Sequence, residues 1–237
     1  MSNLVWSFQY IVGMLFAGIA STGIVCASEC PALSVKNRLT LYQKACWMLV
    51  DLAVNSEWRE KCKAEIKGML SRHLDGSPSA TLCDKLGTIP VSVWEGELPT
   101  LDACIRETQR ISLTTIPLRR HVGEEVRIGG QVVRRGDFLV YPMSEVHMDP
   151  EYYSEPQKYD PGRWLRSDPV PNVPYMFLGW GAGRHACTGM RAAKLEMKFL
   201  LVIFLMRYDY ELVDENGKFP NPLPVPDRND FRQVRAR

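Results

Sequence analysis

Four glycines bracket a single thiol in the run Phe177-Leu178-Gly179-Trp180-Gly181-Ala182-Gly183-Arg184-His185-Ala186-Cys187-Thr188-Gly189. Helical composition resumes directly after it, at Met190. A glycine-rich turn leaves backbone N–H groups free to face an anion, and the first turn of the following helix adds positive potential. Both favour the thiolate over the thiol, and the thiolate is the form that ligates a metal. Small residues on either side let a flat group lie against the backbone. Arg184 and His185 could meet carboxylates at the edge of such a group. A free cysteine by itself is usually a small core residue, so the weight lies on the pattern around Cys187.

A second constellation is ionic. Glu107-Thr108-Gln109-Arg110 places an acid and a base three residues apart, on one face of a helix. Taken alone, that spacing describes an ordinary surface pair. The other candidates for chemistry are weaker. Cys26, Cys30 and Cys46 lack the paired Cys-x-x-Cys knuckles of a structural zinc site. His73 and His121 read as surface histidines.

The elements that must position these residues follow from composition and periodicity. The 237 residues are 46% hydrophobic and 24% charged, the balance of a globular domain rather than a disordered chain. A formal net charge of +2 supplies no field to recruit nucleic acid. An odd number of cysteines at irregular intervals fits a reducing compartment better than a disulfide framework. Leu4 to Ala27 is apolar enough to cross a bilayer, or to form a long helix at the centre of a protein. A second apolar stretch runs from Cys46 to Leu52, and Ser56 reads as the N-cap of a helix ending near His73. Leu101 to Ile111 reads as a helix. Val122 to Pro142 has strand character, with hairpin turns expected at Gly129-Gly130 and Arg135-Gly136. Met190 to Arg207 is again helical.

In this order, the pieces resemble the cytochrome P-450 family. Its haem-binding signature has an aromatic residue, a glycine, a basic residue, the cysteine and a further glycine, and those places fall on Trp180, Gly183, His185, Cys187 and Gly189. The family more often has Phe and Arg where this chain has Trp180 and His185. Glu107 and Arg110 match its Glu-x-x-Arg helix, and Tyr159-Asp160-Pro161-Gly162-Arg163-Trp164 supplies the arginine that the family adds to that pair. Ala17-Gly18-Ile19-Ala20-Ser21-Thr22 resembles its oxygen-binding motif, with Ala20 where an acid is usual. Arg120 lies where some members place a haem-propionate arginine, and His147-Met148-Asp149-Pro150 resembles the family's His-x-Asp-Pro turn, to which no chemistry is assigned.

The resemblance implies a mainly α fold with small β-sheets, the C-terminal half of the family's architecture, with the early helices and membrane anchor missing. It implies haem b with Cys187 as axial iron ligand, Trp180 shielding the thiolate, and Gly183, His185, Arg120 and Gly18 in contact with the cofactor or its oxygen. Ser21 and Thr22 would deliver protons. Glu107, Arg110 and Arg163 would form a structural network beneath the haem. The implied activity is insertion of one atom of O2 into a small apolar substrate, in fungal secondary metabolism of the terpenoid or polyketide kind. Electrons would come from NADPH through NADPH-cytochrome P-450 reductase, which would meet the basic residues Arg191, Lys194 and Lys198. The implied location is the cytosolic face of the endoplasmic reticulum membrane. Leu113 to Leu118 and Leu223 to Pro226 would reach the substrate pocket. The alternative is a truncated, non-catalytic relic, tethered to a membrane through Leu4 to Ala27.

Val25 to Gln43 interrupts the expected central helix and lacks helical periodicity. Its codons can spell GTATGT at the start, CTGAC near the end and TATCAG at the close, like a fungal donor, branch point and acceptor. Removing it joins Gly23-Ile24 to Lys44-Ala45-Cys46-Trp47 in one helix-compatible run. The mature transcript is therefore expected to lack codons 25 to 43. Sequencing it from its true 5′ end checks this, and genomic codons incompatible with the splice signals would refute it.

Overall fold

A computed structural model of the chain describes residues 39–74, 82–113, 116–166, 173–214 and 216–226. Gly18, Ser21, Thr22 and most of the expected insertion lie outside these residues. The helices are α1 (Leu39–Val54), α2 (Ser56–His73), α3 (Leu82–Thr88), α4 (Val91–Gly96), α5 (Pro99–Ser112), α6 (Met143–His147) and α7 (Met190–Arg207). Four short strands, β1 (Leu118–Arg120), β2 (Val126–Ile128), β3 (Gln131–Val133) and β4 (Phe138–Val140), lie between α5 and α6. The described part is thus mainly helical with small antiparallel sheets, as the resemblance implies.

Helix α1 begins at Leu39, so residues 39–43 continue a helix where an irregular insertion was expected. Leu39-Thr-Leu-Tyr-Gln contains no Gly or Pro, and extending a formed helix adds one hydrogen bond for each residue fixed. The joint to α2 also shifts by one residue. Asn55, not Ser56, occupies the N-cap, and its side chain donates to the Asp51 carbonyl at 2.8 Å, serving the end of α1 instead of the start of α2. At the other end of α2, His73 meets Glu97 at 2.9 Å, so this surface histidine is ion-paired when protonated.

The core forms where four helical stripes meet. Met48 and Leu52 come from α1, Cys62, Ile66 and Met69 from α2, and Leu101, Cys104 and Ile105 from α5. Helix α7 adds Ala193, Met197, Leu201 and Leu205. Their four-residue spacing keeps one face of that helix inward for its whole length.

The β region departs from expectation in one place. Gly129 and Gly130, with φ of 55° and 79°, close the β2–β3 hairpin, where a two-residue turn needs positive φ at both central positions. The turn at Arg135-Gly136 closes no hairpin: β4 pairs antiparallel with β1, in the register Leu118–Val140 and Arg120–Phe138. The Asp137 side chain accepts from the Arg134 N–H at 2.7 Å, bending the chain back. The His121 N–H then donates to the Asp137 carbonyl at 2.8 Å, extending the β1–β4 ladder past Arg120.

Where α1 packs on α5, two charged groups are half-buried. Thr108 Oγ1 donates to Asp51 Oδ2 at 2.7 Å, and Lys44 Nζ donates to Ser112 Oγ at 2.9 Å. Desolvation pushes the Asp51 carboxyl from 3.8 up to about 7, against the Thr108 hydrogen bond; the Glu107 charge adds to the rise and Lys44 offsets it. Desolvation likewise brings Lys44 from 10.5 down to about 8, with Asp51 opposing. Between about pH 4 and pH 7 the folded chain holds a proton that the unfolded chain has lost, so this site's stability contribution falls as pH rises. Between about pH 8 and 10.5 the unfolded chain holds the extra proton on Lys44, and the contribution rises again. Denaturant titrations across pH should therefore show the wild type losing stability relative to Asp51→Asn from about pH 4 to 7. Parallel curves would refute the assignment.

Candidate functional site

Glu107, Arg110 and Arg163 come together in a buried cluster, with exposures of 0%, 0% and 3%. Helix geometry puts Arg110 one turn beyond Glu107, and its Nε and Nη2 donate to the two carboxylate oxygens at 3.0 and 2.8 Å. This two-pronged contact holds orientation as well as charge. Arg163 arrives from a short 3-10 turn, Pro161–Trp164, and its Nε donates to Glu107 Oε1 at 3.1 Å. The Asp160 side chain, accepting from the Gly162 N–H at 3.0 Å, caps that turn. Two donors without charge complete the set: Trp164 Nε1 at 2.9 Å and the Asp160 N–H at 3.1 Å.

One carboxylate facing two guanidiniums leaves a surplus positive charge, and carbonyl oxygens take it up. Arg110 Nη1 donates to the carbonyls of His147 and Pro156, each at 2.7 Å, and Arg163 Nη1 donates to that of Ser154 at 3.2 Å. The cluster therefore pins residues 147 to 158 beneath α5. Tyr153, fully buried, lies under the Arg110 guanidinium at 5.0 Å and donates from its hydroxyl to the Met176 carbonyl at 3.1 Å. Burial pushes that phenol up to about 12.

Met176 leads into the cysteine loop. The Gly181 N–H donates to the Leu178 carbonyl at 2.9 Å, and the Cys187 N–H donates to the Trp180 carbonyl at 2.7 Å, folding the loop back on itself. Gly181 has φ of 71°, and a Cβ there would lie 2.8 Å from the His185 carbonyl oxygen, so glycine is required. Residues 183 to 186 are exposed and Cys187 is half-exposed, one turn before α7 with Gly189 at its N-cap. The Trp180 ring packs against the main helical core.

The surface around Cys187 fits a flat group with a metal at its centre. A Cβ at Gly183 or Gly189 would meet no atom within 4 Å, so bare backbone borders open space on both sides of the thiol. The donor that this surface would offer is one soft sulfur, and among the described residues no three His, Cys, Asp or Glu side chains gather to hold a bare ion. A single thiolate suits iron already held in a macrocycle, as haem is.

Other expected residues fall elsewhere. Arg120 is exposed on β1, with its guanidinium 5.9 Å from the Phe138 ring. His185 is exposed in the 3-10 turn Gly183–His185. Lys198 is not part of a basic docking face. It is 3% exposed, and its Nζ donates to the Trp94 carbonyl at 2.6 Å and to Asp102 at 2.7 Å, because its position on α7 faces α4 and α5. Arg191 is exposed and paired with Glu95. Leu113 packs under the cysteine loop with Met143 and Leu178, while Leu223 and Val225 are exposed. Among the described residues, no helix is long and apolar enough to cross a membrane. Two contributors gave little signal in the sequence: His147, fully buried, and Trp164, whose place beside Arg163 gives no hint that its indole reaches Glu107.

Removing the shared acceptor should be costly. Glu107→Gln leaves Arg110 and Arg163 buried without a counter-charge, and the expected loss is about 3–5 kcal/mol in equilibrium unfolding. A loss below about 1 kcal/mol, the range of an exposed pair, would show that the cluster is solvated.

A family model described as Cytochrome P450 matches residues 40–226. The chain is 32% identical to Cytochrome P450 monooxygenase AacuE of Aspergillus aculeatus over 217 residues, 90% of this chain and 39% of that protein. It is 35% identical to Cytochrome P450 monooxygenase nsrP of Aspergillus novofumigatus over 182 residues, 75% of this chain and 35% of that protein. Fusicoccin H C-9 hydroxylase of Phomopsis amygdali is 29% identical over 194 residues, 77% of this chain and 34% of that protein. The chain spans little more than a third of the length of these curated relatives. The Glu107 cluster and the Cys187 loop both lie within the matched residues, and the chain belongs to the cytochrome P450 family.

Proposed function

We propose that this chain is the haem-thiolate region of a monooxygenase, with Cys187 as the protein ligand to iron. The observation that carries the reading is a half-exposed thiol on an open glycine loop whose leading residues, Met176 and Leu178, are bonded to Tyr153 and His147. When bound, haem supplies activation of dioxygen: RH + O2 + NADPH + H+ gives ROH + H2O + NADP+. The chain's own part is to hold and shape. Cys187 donates its thiolate, and the hydrogen bond from its N–H to the Trp180 carbonyl keeps the loop closed behind the sulfur. Gly183 and Gly189 leave room for the macrocycle. His185 and Arg120 are the proposed partners of haem carboxylates. Gly18, Ser21 and Thr22 are the proposed oxygen and proton-delivery residues.

The substrate reading is a small apolar molecule of fungal secondary metabolism, supported by relatives from Aspergillus and by the one whose name states hydroxylation of fusicoccin H. A reductase carrying NADPH electrons, at the cytosolic face of the endoplasmic reticulum, completes the reading. A non-catalytic relic is the second reading, favoured by Leu118, Phe138 and Val140, apolar side chains exposed on the paired strands β1 and β4.

One spectrum separates the two readings. The chain is produced with haem, alone and within the longest reading frame that contains it, and reduced under carbon monoxide. A thiolate-type Soret band that Cys187→Ala abolishes supports the enzyme. No haem uptake by soluble protein in either form supports the relic.

A further inference from the structure

His147 is fully buried, and both of its ring nitrogens are engaged. The Leu178 N–H lies 2.8 Å from Nε2, and because an amide can only donate, Nε2 must accept. The ring proton is therefore on Nδ1, which donates to the Arg110 carbonyl at 3.1 Å. That carbonyl belongs to the last turn of α5, where helix geometry leaves acceptors without a partner in the helix. The contact is reciprocal, since Arg110 Nη1 donates to the His147 carbonyl at 2.7 Å. Each residue thus holds the other's backbone.

Leu178 is the first hinge of the cysteine loop. Its N–H is held by the imidazole, and its carbonyl accepts from Gly181 at 2.9 Å. The preceding ring, Phe177, stacks on the imidazole at 5.2 Å and 9°. Phe177 in turn fills the space beside Gly179, where a Cβ would lie 2.5 Å from its ring. The backbone on both sides of Leu178 is therefore registered against one imidazole.

We infer that His147 is a positioning residue for Cys187, carrying the fixed geometry of the Glu107–Arg110–Arg163 cluster into the loop through the Nδ1–H tautomer. The inference rests on the reading of Cys187 as the iron ligand. It adds a role for a residue remote from the thiol in sequence, whose ring meets Arg110, Leu178 and Phe177.

The two nitrogens can be separated by substitution. In His147→Gln the side-chain carbonyl reaches the place of Nε2 and can accept from Leu178. In His147→Asn the amide reaches the place of Nδ1 and can donate to Arg110, but Leu178 loses its acceptor. His147→Leu removes both. In the haem-loaded protein reduced under carbon monoxide, the ratio of thiolate-type to neutral-thiol-type Soret bands should fall about fivefold in Asn and Leu, the effect of one net hydrogen bond. Gln should restore it to near the wild-type ratio. Amide exchange at Leu178 should accelerate in Asn and Leu and stay slow in Gln, with or without haem. If Asn, Gln and Leu all match the wild type in both readouts, the positioning role is wrong while the Cys187 reading stands. If the wild type gives no thiolate-type band, or Cys187→Ala retains it, the ligand reading fails instead. Should the variants not fold, nitrogen-15 shifts of the wild-type imidazole decide, and an Nε2–H tautomer overturns the inference.

Discussion

A carboxylate with no exposure to water must be given back, by the protein, every interaction that water supplied. Glu107 is in that position, and its two oxygens accept from Arg110, Arg163, Trp164 and the Asp160 N–H. Desolvating an ion pair often costs as much as the attraction returns, so the cluster is weak ground for a claim of added stability. What it does supply is uniqueness. The donors come from α5 and from residues 160 to 164, and they satisfy one carboxylate in one arrangement only. The surplus positive charge fixes more chain, because it is spread over the carbonyls of His147, Ser154 and Pro156. A stretch with little regular structure of its own is thereby held in a single path.

The cysteine loop could not hold itself. Its four internal backbone hydrogen bonds, two of them as long as 3.3 Å, join only loop residues to one another, its tip is exposed, and its small residues offer little apolar surface. Its position is borrowed from both ends. Downstream, α7 is locked into the helical core by its inward stripe and by Lys198, which spans to α4 and α5. Upstream, Met176 and Leu178 are tied to Tyr153 and His147, both of which belong to the stretch that the arginines pin. Cys187 is thus suspended between an apolar anchor and a polar one.

The sequence was legible where one local rule decides the outcome. Helix α7 runs from Met190 to Arg207 as read, because its apolar stripe and the glycine before it agree. Gly129-Gly130 made the β2–β3 turn visible, since paired glycines suit its positive φ values. The misreadings share a different cause. The pairing of β4 with β1 depends on His121 and Asp137 meeting across the turn, which no short-range pattern encodes. Lys198 looks solvated because a lysine usually is, yet the Trp94 carbonyl and Asp102 make a buried site for its charge. The roles of His147 and Trp164 were hidden for the same reason. Their partners are distant in sequence, and a histidine or tryptophan letter does not show which atom will be satisfied.

The distribution of apolar contacts explains why polar links carry so much of the loop's register. Among the described residues, the apolar cluster that includes the loop's Leu178 is small: Leu113, Met143 and Leu178, with Val146 and Ala182 against it, beside a core several times larger among the helices. The hydrophobic effect has no direction, so a patch this small does little to select one backbone position from its neighbours. A hydrogen bond from Leu178 to an imidazole can, because it weakens steeply with misalignment. The helices are held by burial, which tolerates substitution of similar volume. The thiol loop is held by direction, which does not, and the residues that set that direction, Glu107, Arg110 and His147, are far from Cys187 in sequence.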